Sequence, residues 1–231
     1  MTGAESEPET QMHLQKNLWH PLLALACASL ANCASVQPIA YSGVASSSSL
    51  KPNPQDESGR VPYRYSAEAD WRNYRRLVID PVMVYRGADN QFGDMSEGDR
   101  ANLASYMQAE FSEKLRSRFE LANDSGPSTL RLKLTLTGAT TTTPVLGPFT
   151  HFDLTGNVYN VVQTFRGREG AFSGSVFYTV EIYDDASNRL LEAYVTKQYP
   201  NPMNIAASFG ALGAAKTGVE KGADALLAQF Q

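Results

Sequence analysis

Leu130, Leu132, Leu134 and Leu136 alternate without a break against Arg131, Lys133, Thr135 and Thr137. A strict period of two is the signature of a β-strand with one face buried and the other solvated. Such a strand cannot shield its leucine face alone, because an isolated pair of strands is at best marginally stable in water. The chain must therefore supply further strands beside it and an apolar layer over it.

The rest of the sequence contains both. Ser175 to Asp184 reads as a strand with Val176, Tyr178, Val180 and Ile182 on one side, and Leu190 to Gln198 returns as its hairpin partner. The turn between them, Asp184-Asp185-Ala186-Ser187-Asn188, is built from residues that favour tight reversals. Upstream, Arg76 to Tyr85 is apolar and β-branched and predicts a strand bent or interrupted at Pro81.

Two helices are predicted. Ser96 with Asp99 three residues on resembles a capping box and opens a helix to about Phe119. Its apolar stripe is Leu103, Met107, Phe111 and Leu115, with Tyr106 beside it. After Asn201-Pro202 a second helix presents Ile205, Phe209, Leu212, Val219, Leu226 and Phe230. Gly210, Gly213, Gly218 and Gly222 weaken that helix unless they serve a close approach to the sheet.

This order predicts an α+β fold: a two-layer sandwich of one mostly antiparallel sheet, with both helices on one face and the first strand, helix and second strand forming a parallel crossover. By element order alone it resembles the periplasmic domains of curli-secretion lipoproteins and of lipoproteins that activate penicillin-binding proteins. Fold does not fix function.

The N-terminus reads as an address. Leu18 to Ala31 is an apolar run of fourteen positions, shorter than the roughly 20 a membrane-spanning helix needs but suited to an export signal. Residues 1–11 carry three glutamates and no Lys or Arg, whereas a start at Met12 would place Lys16 ahead of the run and no acid. The run ends in Leu30-Ala31-Asn32-Cys33-Ala34-Ser35, which resembles the bacterial lipobox. The resemblance implies cleavage before Cys33, acylation of its thiol and a signal peptide over residues 1–33. Asn32 departs from the pattern, where Gly, Ala or Ser is usual. Cys27, preceded by Ala24, Leu25 and Ala26, matches less well, and an ordinary secretory signal would also accommodate both cysteines. Ala34 is not the Asp that retains lipoproteins in the inner membrane, so the expected location is the outer membrane, periplasmic face. Residues 34–70 carry Ser46 to Ser49, Pro52, Pro54, Gly59 and Pro62 and are expected to form a flexible tether, leaving 71–231 as one domain.

Composition removes whole classes of chemistry. Cys27 and Cys33 are the only cysteines, and His151 is the only histidine after residue 33, so neither a disulfide nor a cysteine or histidine metal centre is expected in the body of the protein. A formal net charge of −4 gives no electrostatic footprint for nucleic acid. No nucleophile elbow G-x-S-x-G occurs, since Gly170-Ala171-Phe172-Ser173-Gly174 has the wrong register, and Gly167, Gly170 and Gly174 fit neither phosphate-binding fingerprint. No cofactor or metal is expected.

The residues left for catalysis are carboxylates. Asp80 stands before Pro81 at a strand end, and Asp184 and Asp185 stand in a turn. Their simpler roles are to hydrogen-bond backbone where the ladder breaks and to form the reversal. His151 with Asp153 two residues on lacks a nucleophile to serve.

The segment from about 144 to 172 is an apolar insertion where a short connection would be usual. It either completes the core or exposes a patch for a partner; Phe149, Phe152, Tyr159 and Phe165 are its candidate contacts.

Tyr41-Ser42-Gly43, Leu50-Lys51-Pro52, Tyr74 through Ile79-Asp80-Pro81-Val82, and Gly126-Pro127 leading to Leu130-Arg131-Leu132 together resemble the uncharacterised bacterial lipoprotein family called domain of unknown function 3313. That resemblance implies a lipoprotein and assigns no catalytic residues. The function expected is a non-catalytic envelope lipoprotein whose partners are the membrane, through its anchor, and another envelope protein or a second copy. The alternative is an envelope enzyme, such as a hydrolase, working with carboxylates alone.

Overall fold

The computed structural model describes residues 36–141, 174–201, 204 and 210–231. The folded unit begins at Gln37.

The leucine strand is β6, Thr129–Thr140, and its four leucines are fully shielded from solvent. It pairs antiparallel with β7, Ser175–Asp184, which pairs antiparallel with β8, Arg189–Gln198. The predicted turn closes this hairpin: Asn188 takes φ 54°, and Asp184 Oδ1 accepts the Ser187 N–H at 2.8 Å.

The predicted strand over residues 76–85 is split at Pro81. Its halves are β3, Arg76–Ile79, and β4, Met83–Val84, both parallel to β6. Proline has no N–H to give the ladder. The backbone resumes pairing on either side, with Asp80 N donating to Leu132 O at 3.0 Å and Tyr85 N to Leu136 O at 2.8 Å. Outside β3 lies β5, Glu120–Leu121, also parallel. The other flank is antiparallel: β2, Tyr63–Ser66, pairs with β8, and β1, Lys51–Pro52, pairs with β2. The described residues thus form one eight-stranded mixed sheet, ordered β1-β2-β8-β7-β6-β3-β5 with β4 also on β6. The long ladders are antiparallel as predicted, while the strands beside the crossover are parallel.

Helix α1 is Glu97–Leu115. Ser96 caps it, its Oγ accepting the Asp99 N–H at 3.1 Å and donating to the Asp99 carboxylate at 2.8 Å. It stops short of the predicted Phe119, whose N–H still bonds Leu115 O at 3.0 Å in a closing turn. Helix α2 is Gly213–Gln229. Both helices reach Tyr178 of β7: the Phe111 ring meets the Tyr178 ring edge-on at 5.9 Å, and Gly222 lies against the Tyr178 hydroxyl. Leu103, Met107, Phe111 and Leu115 of α1 and Val219 and Leu226 of α2 share one core with the β6 leucines and Val176, Tyr178, Val180 and Ile182.

The expected tether over residues 34–70 is corrected by the structure from Gln37 on. Tyr41 and Val44 are buried with Tyr85 and Val195 in a second apolar cluster, against which Leu50 and Tyr63 pack. Strands β1 and β2 then extend the sheet. The Ser and Pro content that argued for disorder serves a compact path of turns instead. Ser47 N bonds Val44 O at 3.0 Å, Ser49 N bonds Ser46 O at 2.8 Å, and Pro52 sits on an edge strand, where a missing N–H costs nothing.

Candidate functional site

The three carboxylates singled out from the sequence lie near one end of the sheet, and two of them share one partner. Arg131, on β6, donates from one terminal guanidinium nitrogen to Asp80 at 2.6 Å and from Nε to Asp185 at 2.7 Å. The break at Pro81 delivers Asp80 and the hairpin turn delivers Asp185, whose side chain is only 2% exposed. Burial pushes the Asp185 carboxyl up, but the hydrogen bond from Arg131, reinforced by Ser125, holds it below the usual carboxylate range. Asp184 is likewise held low, first by the Ser187 hydroxyl and N–H, and it accepts the Tyr74 hydroxyl at 2.9 Å. The hydrogen bonds to Asp184 and Asp185 thus favour the ionised form of each carboxyl.

Two further acids lie inside apolar strand runs, where sequence reasoning passed over them. Glu181 of β7 is 3% exposed and accepts the Ser46 N–H at 2.7 Å and the Tyr183 hydroxyl at 3.2 Å. Lys133 is its cross-strand neighbour, with the ammonium 4.8 Å from the Tyr183 ring centre. Burial pushes the Tyr183 phenol up to about 12. Glu192 of β8 is 1% exposed and lies against Arg64 and the Gln229 amide. Burial raises its carboxyl above the ordinary value, outweighing Arg64. The signal for both was a single acid within an otherwise apolar run.

Glu181 pairs with Ala193, and Glu192 pairs with Ile182. Residues paired across a ladder share a face, so the two glutamates project from opposite faces. The sheet itself keeps them from forming the facing carboxylate pair that glycoside chemistry requires.

Across the Glu181 face runs a strap from Gln37 to Leu50. Gln91 Nε2 donates to Gln37 O at 2.9 Å, and the Tyr41 hydroxyl donates back to Gln91. Asp89 accepts both the N–H and the hydroxyl of Ser42, at 3.0 and 3.2 Å. The Gly43 N–H donates to the Tyr85 hydroxyl at 3.0 Å, an approach so close that a Cβ at Gly43 would lie 3.0 Å from that ring.

Cys33, Phe149, Phe152, Tyr159, Phe165 and His151 lie outside the described residues. Among the described residues no three His, Cys, Asp or Glu side chains gather as a metal-ion site. No described helix is long and apolar enough to cross a membrane.

The described residues form an α+β domain in which Asp80, Asp184, Asp185, Glu181 and Glu192 are each bound by neighbouring groups. The chain belongs to the family described as protein of unknown function DUF3313, whose pattern matches residues 40–226 and so takes in most of the strap. No curated protein matches it. Among solved structures it is similar to the PelC dodecamer from Paraburkholderia phytofirmans, in two crystal forms. Identity is 11% in both, with TM-scores of 0.36 and 0.34, covering 68% of this chain and 89% and 92% of those. It is also similar to a neuraminyllactose-binding hemagglutinin homolog from Helicobacter pylori, at 7% identity and a TM-score of 0.31, over 71% of this chain and 83% of that one.

Proposed function

We propose that this chain is a non-catalytic lipoprotein of the cell envelope, anchored through acylated Cys33 at the periplasmic face of the outer membrane and working there as a protein-binding or structural module. The observation that carries the reading is Arg131, which binds Asp80 and Asp185 at once. Two of the carboxylates left for catalysis thereby become a clamp between the Pro81 break and the hairpin turn. Anchorage rests on Leu30-Ala31-Asn32-Cys33 after an apolar run too short to span. Two or more acyl chains hold a protein stably where one is marginal.

The architecture is read as a two-layer sandwich with α1 and α2 on the Tyr178 face, because both helices meet that one side chain. The proposed contact for another envelope protein or a second copy is the apolar segment 144–172, through Phe149, Phe152, Tyr159 and Phe165, with Arg166, Arg168 and Glu169 as a charged rim.

Mass spectrometry of the membrane fraction tests the anchor: an acylated peptide beginning at Cys33 is expected, and an unmodified Cys33 within a longer soluble chain refutes it. Crosslinking in intact cells tests the module. Replacing Phe149 and Phe152 with Ser should remove a crosslinked partner while the melting temperature stays within about 2 °C. Partner loss only in proportion to unfolding would assign the segment to the core.

A further inference from the structure

Only three residues separate Cys33 from Gln37, where the folded unit begins. From there the strap is bound repeatedly: Gln37 and Tyr41 to Gln91, Ser42 to Asp89, Gly43 to Tyr85, and Ser46 to Glu181. No more than three residues lie between successive bound positions. An extended chain covers at most about 3.6 Å per residue, so the four steps from Cys33 to Gln37 reach about 14 Å at full stretch.

The strap starts at one end of the sheet. Gln91 bridges Gly138 near the end of β6, beside the Thr140–Ser175 pairing that closes the β6–β7 ladder. The hairpin turn containing Ala186 lies beyond the opposite end, where Asp184 pairs with Leu130. At about 3.3 Å per residue, the strand from Thr129 to Gly138 sets the two ends about 30 Å apart. Two of the exposed large apolar side chains among the described residues, Val36 and Ile39, sit within two positions of Gln37.

We infer that, given the Cys33 acylation proposed above, the strap is a short leash that holds the Gln91 end of the sheet against the phospholipid headgroups and points the hairpin turn away from the bilayer. The partner of that end is the lipid surface. Covalent reach keeps it there, and apolar side chains beside the leash suit the interfacial zone. The protein is then an oriented module at the membrane surface, unable to swing freely as a tethered domain would.

The test uses the acylated full-length protein in phosphatidylethanolamine–phosphatidylglycerol vesicles carrying a nitroxide-headgroup lipid. Cys27 leaves with the signal and the Cys33 thiol is blocked by its acyl group, so an introduced cysteine is the sole site for a fluorophore. Asp94→Cys lies three residues from Gln91, and Ala186→Cys lies in the distal turn; both positions are exposed. The nitroxide should quench the Asp94→Cys label at least threefold more than the Ala186→Cys label. Inserting twenty Gly and Ser residues between Ser35 and Val36 should bring the two to the same low level. Equal quenching in the parent chain, or a difference that survives the insertion, overturns the leash while leaving the anchor intact. An unacylated Cys33 in the same sample overturns both.

Discussion

The Ser46 N–H donates to the Glu181 carboxylate at 2.7 Å, joining residues 135 apart in sequence and fixing the strap to the middle of the sheet. Glu181 sits in the hydrogen-bonded interior with Ser46 itself buried, so a replacement that cannot accept a hydrogen bond strands a backbone donor. Glu181→Ala should destabilise the fold by about 1–3 kcal/mol. Glu181→Gln, which keeps an acceptor, should cost less. Denaturant melts measure the loss. Hydrogen exchange over residues 41–50 should accelerate in Glu181→Ala, and unchanged protection there would show that this bond does not hold the strap.

Arg131 bridges two elements that the sequence places far apart, the Pro81 break and the hairpin turn. Arg131→Met keeps much of the aliphatic stem but leaves the shielded Asp185 carboxylate without its cation. A loss of about 1.5–3 kcal/mol is expected, the range for hydrogen bonds to charged groups. Asp80 is more exposed, so Asp80→Asn should cost less than Asp185→Asn. The reverse order would mean that Asp80 is the main partner.

Leu132 is 1% exposed and belongs to the main core cluster with Leu103, Met107 and Phe111. Leu132→Ala should cost about 2–5 kcal/mol, as deletion of a fully buried leucine does. A loss below about 0.5 kcal/mol in urea melts, the range of surface changes, would place that leucine outside the core.

The parts legible in the sequence were those governed by local periodicity. The β6 leucines, the α1 stripe, the Ser96 cap and the β7–β8 hairpin each write their burial into a window of ten or so residues, and the Pro81 break follows from one missing N–H. The strap was not legible, because residues 41–50 have no period and are ordered by partners 40 or more residues away, at Tyr85, Asp89, Gln91 and Glu181. Ser42, Ser46, Ser47 and Ser49 all donate their backbone N–H groups, which composition does not reveal. For the acids the outcome was mixed: Asp80, Asp184 and Asp185 stood out beside breaks and turns, but Arg131 on the wet face of β6, the cation that Asp80 and Asp185 share, did not. Glu181 and Glu192 were hidden within apolar runs.

Glu192 gives a pH dependence with a definite sign. Burial raises its carboxyl in the folded state, so the folded chain keeps this proton at pH values where the unfolded chain has released it. Stability from this group is therefore fully present below the ordinary value near 4.5 and is lost as pH rises through the folded-state value. Glu192→Gln mimics the protonated form. Its melting temperature should match the parent's near pH 4 and rise relative to it towards pH 7. If the parent instead gains on the variant as pH rises, attraction to Arg64 outweighs burial.

The α2 glycines answer the question their helix-weakening presence raised, since two of them face the sheet with no room for a side chain. A Cβ on Gly218 would lie 2.7 Å from the Gln198 carbonyl oxygen and 2.9 Å from a Val176 methyl. On Gly222 it would lie 1.8 Å from the Tyr178 hydroxyl. Alanine in a helix interior gains about 1 kcal/mol over glycine, whereas forcing extra volume into a packed contact costs about 1–3 kcal/mol. Gly218→Ala and Gly222→Ala should therefore both destabilise the protein. The two obstacles differ in kind, because backbone and a short branched side chain block Gly218, while the tip of one ring blocks Gly222. Tyr178→Phe removes that tip, leaving ring carbon at 2.9 Å as the nearest atom. The cost of Gly222→Ala should fall in the Tyr178→Phe background, and the cost of Gly218→Ala should not. A double-mutant cycle measures the difference. Equal costs in both backgrounds would show that Tyr178 yields freely and that α2 is not seated by this contact.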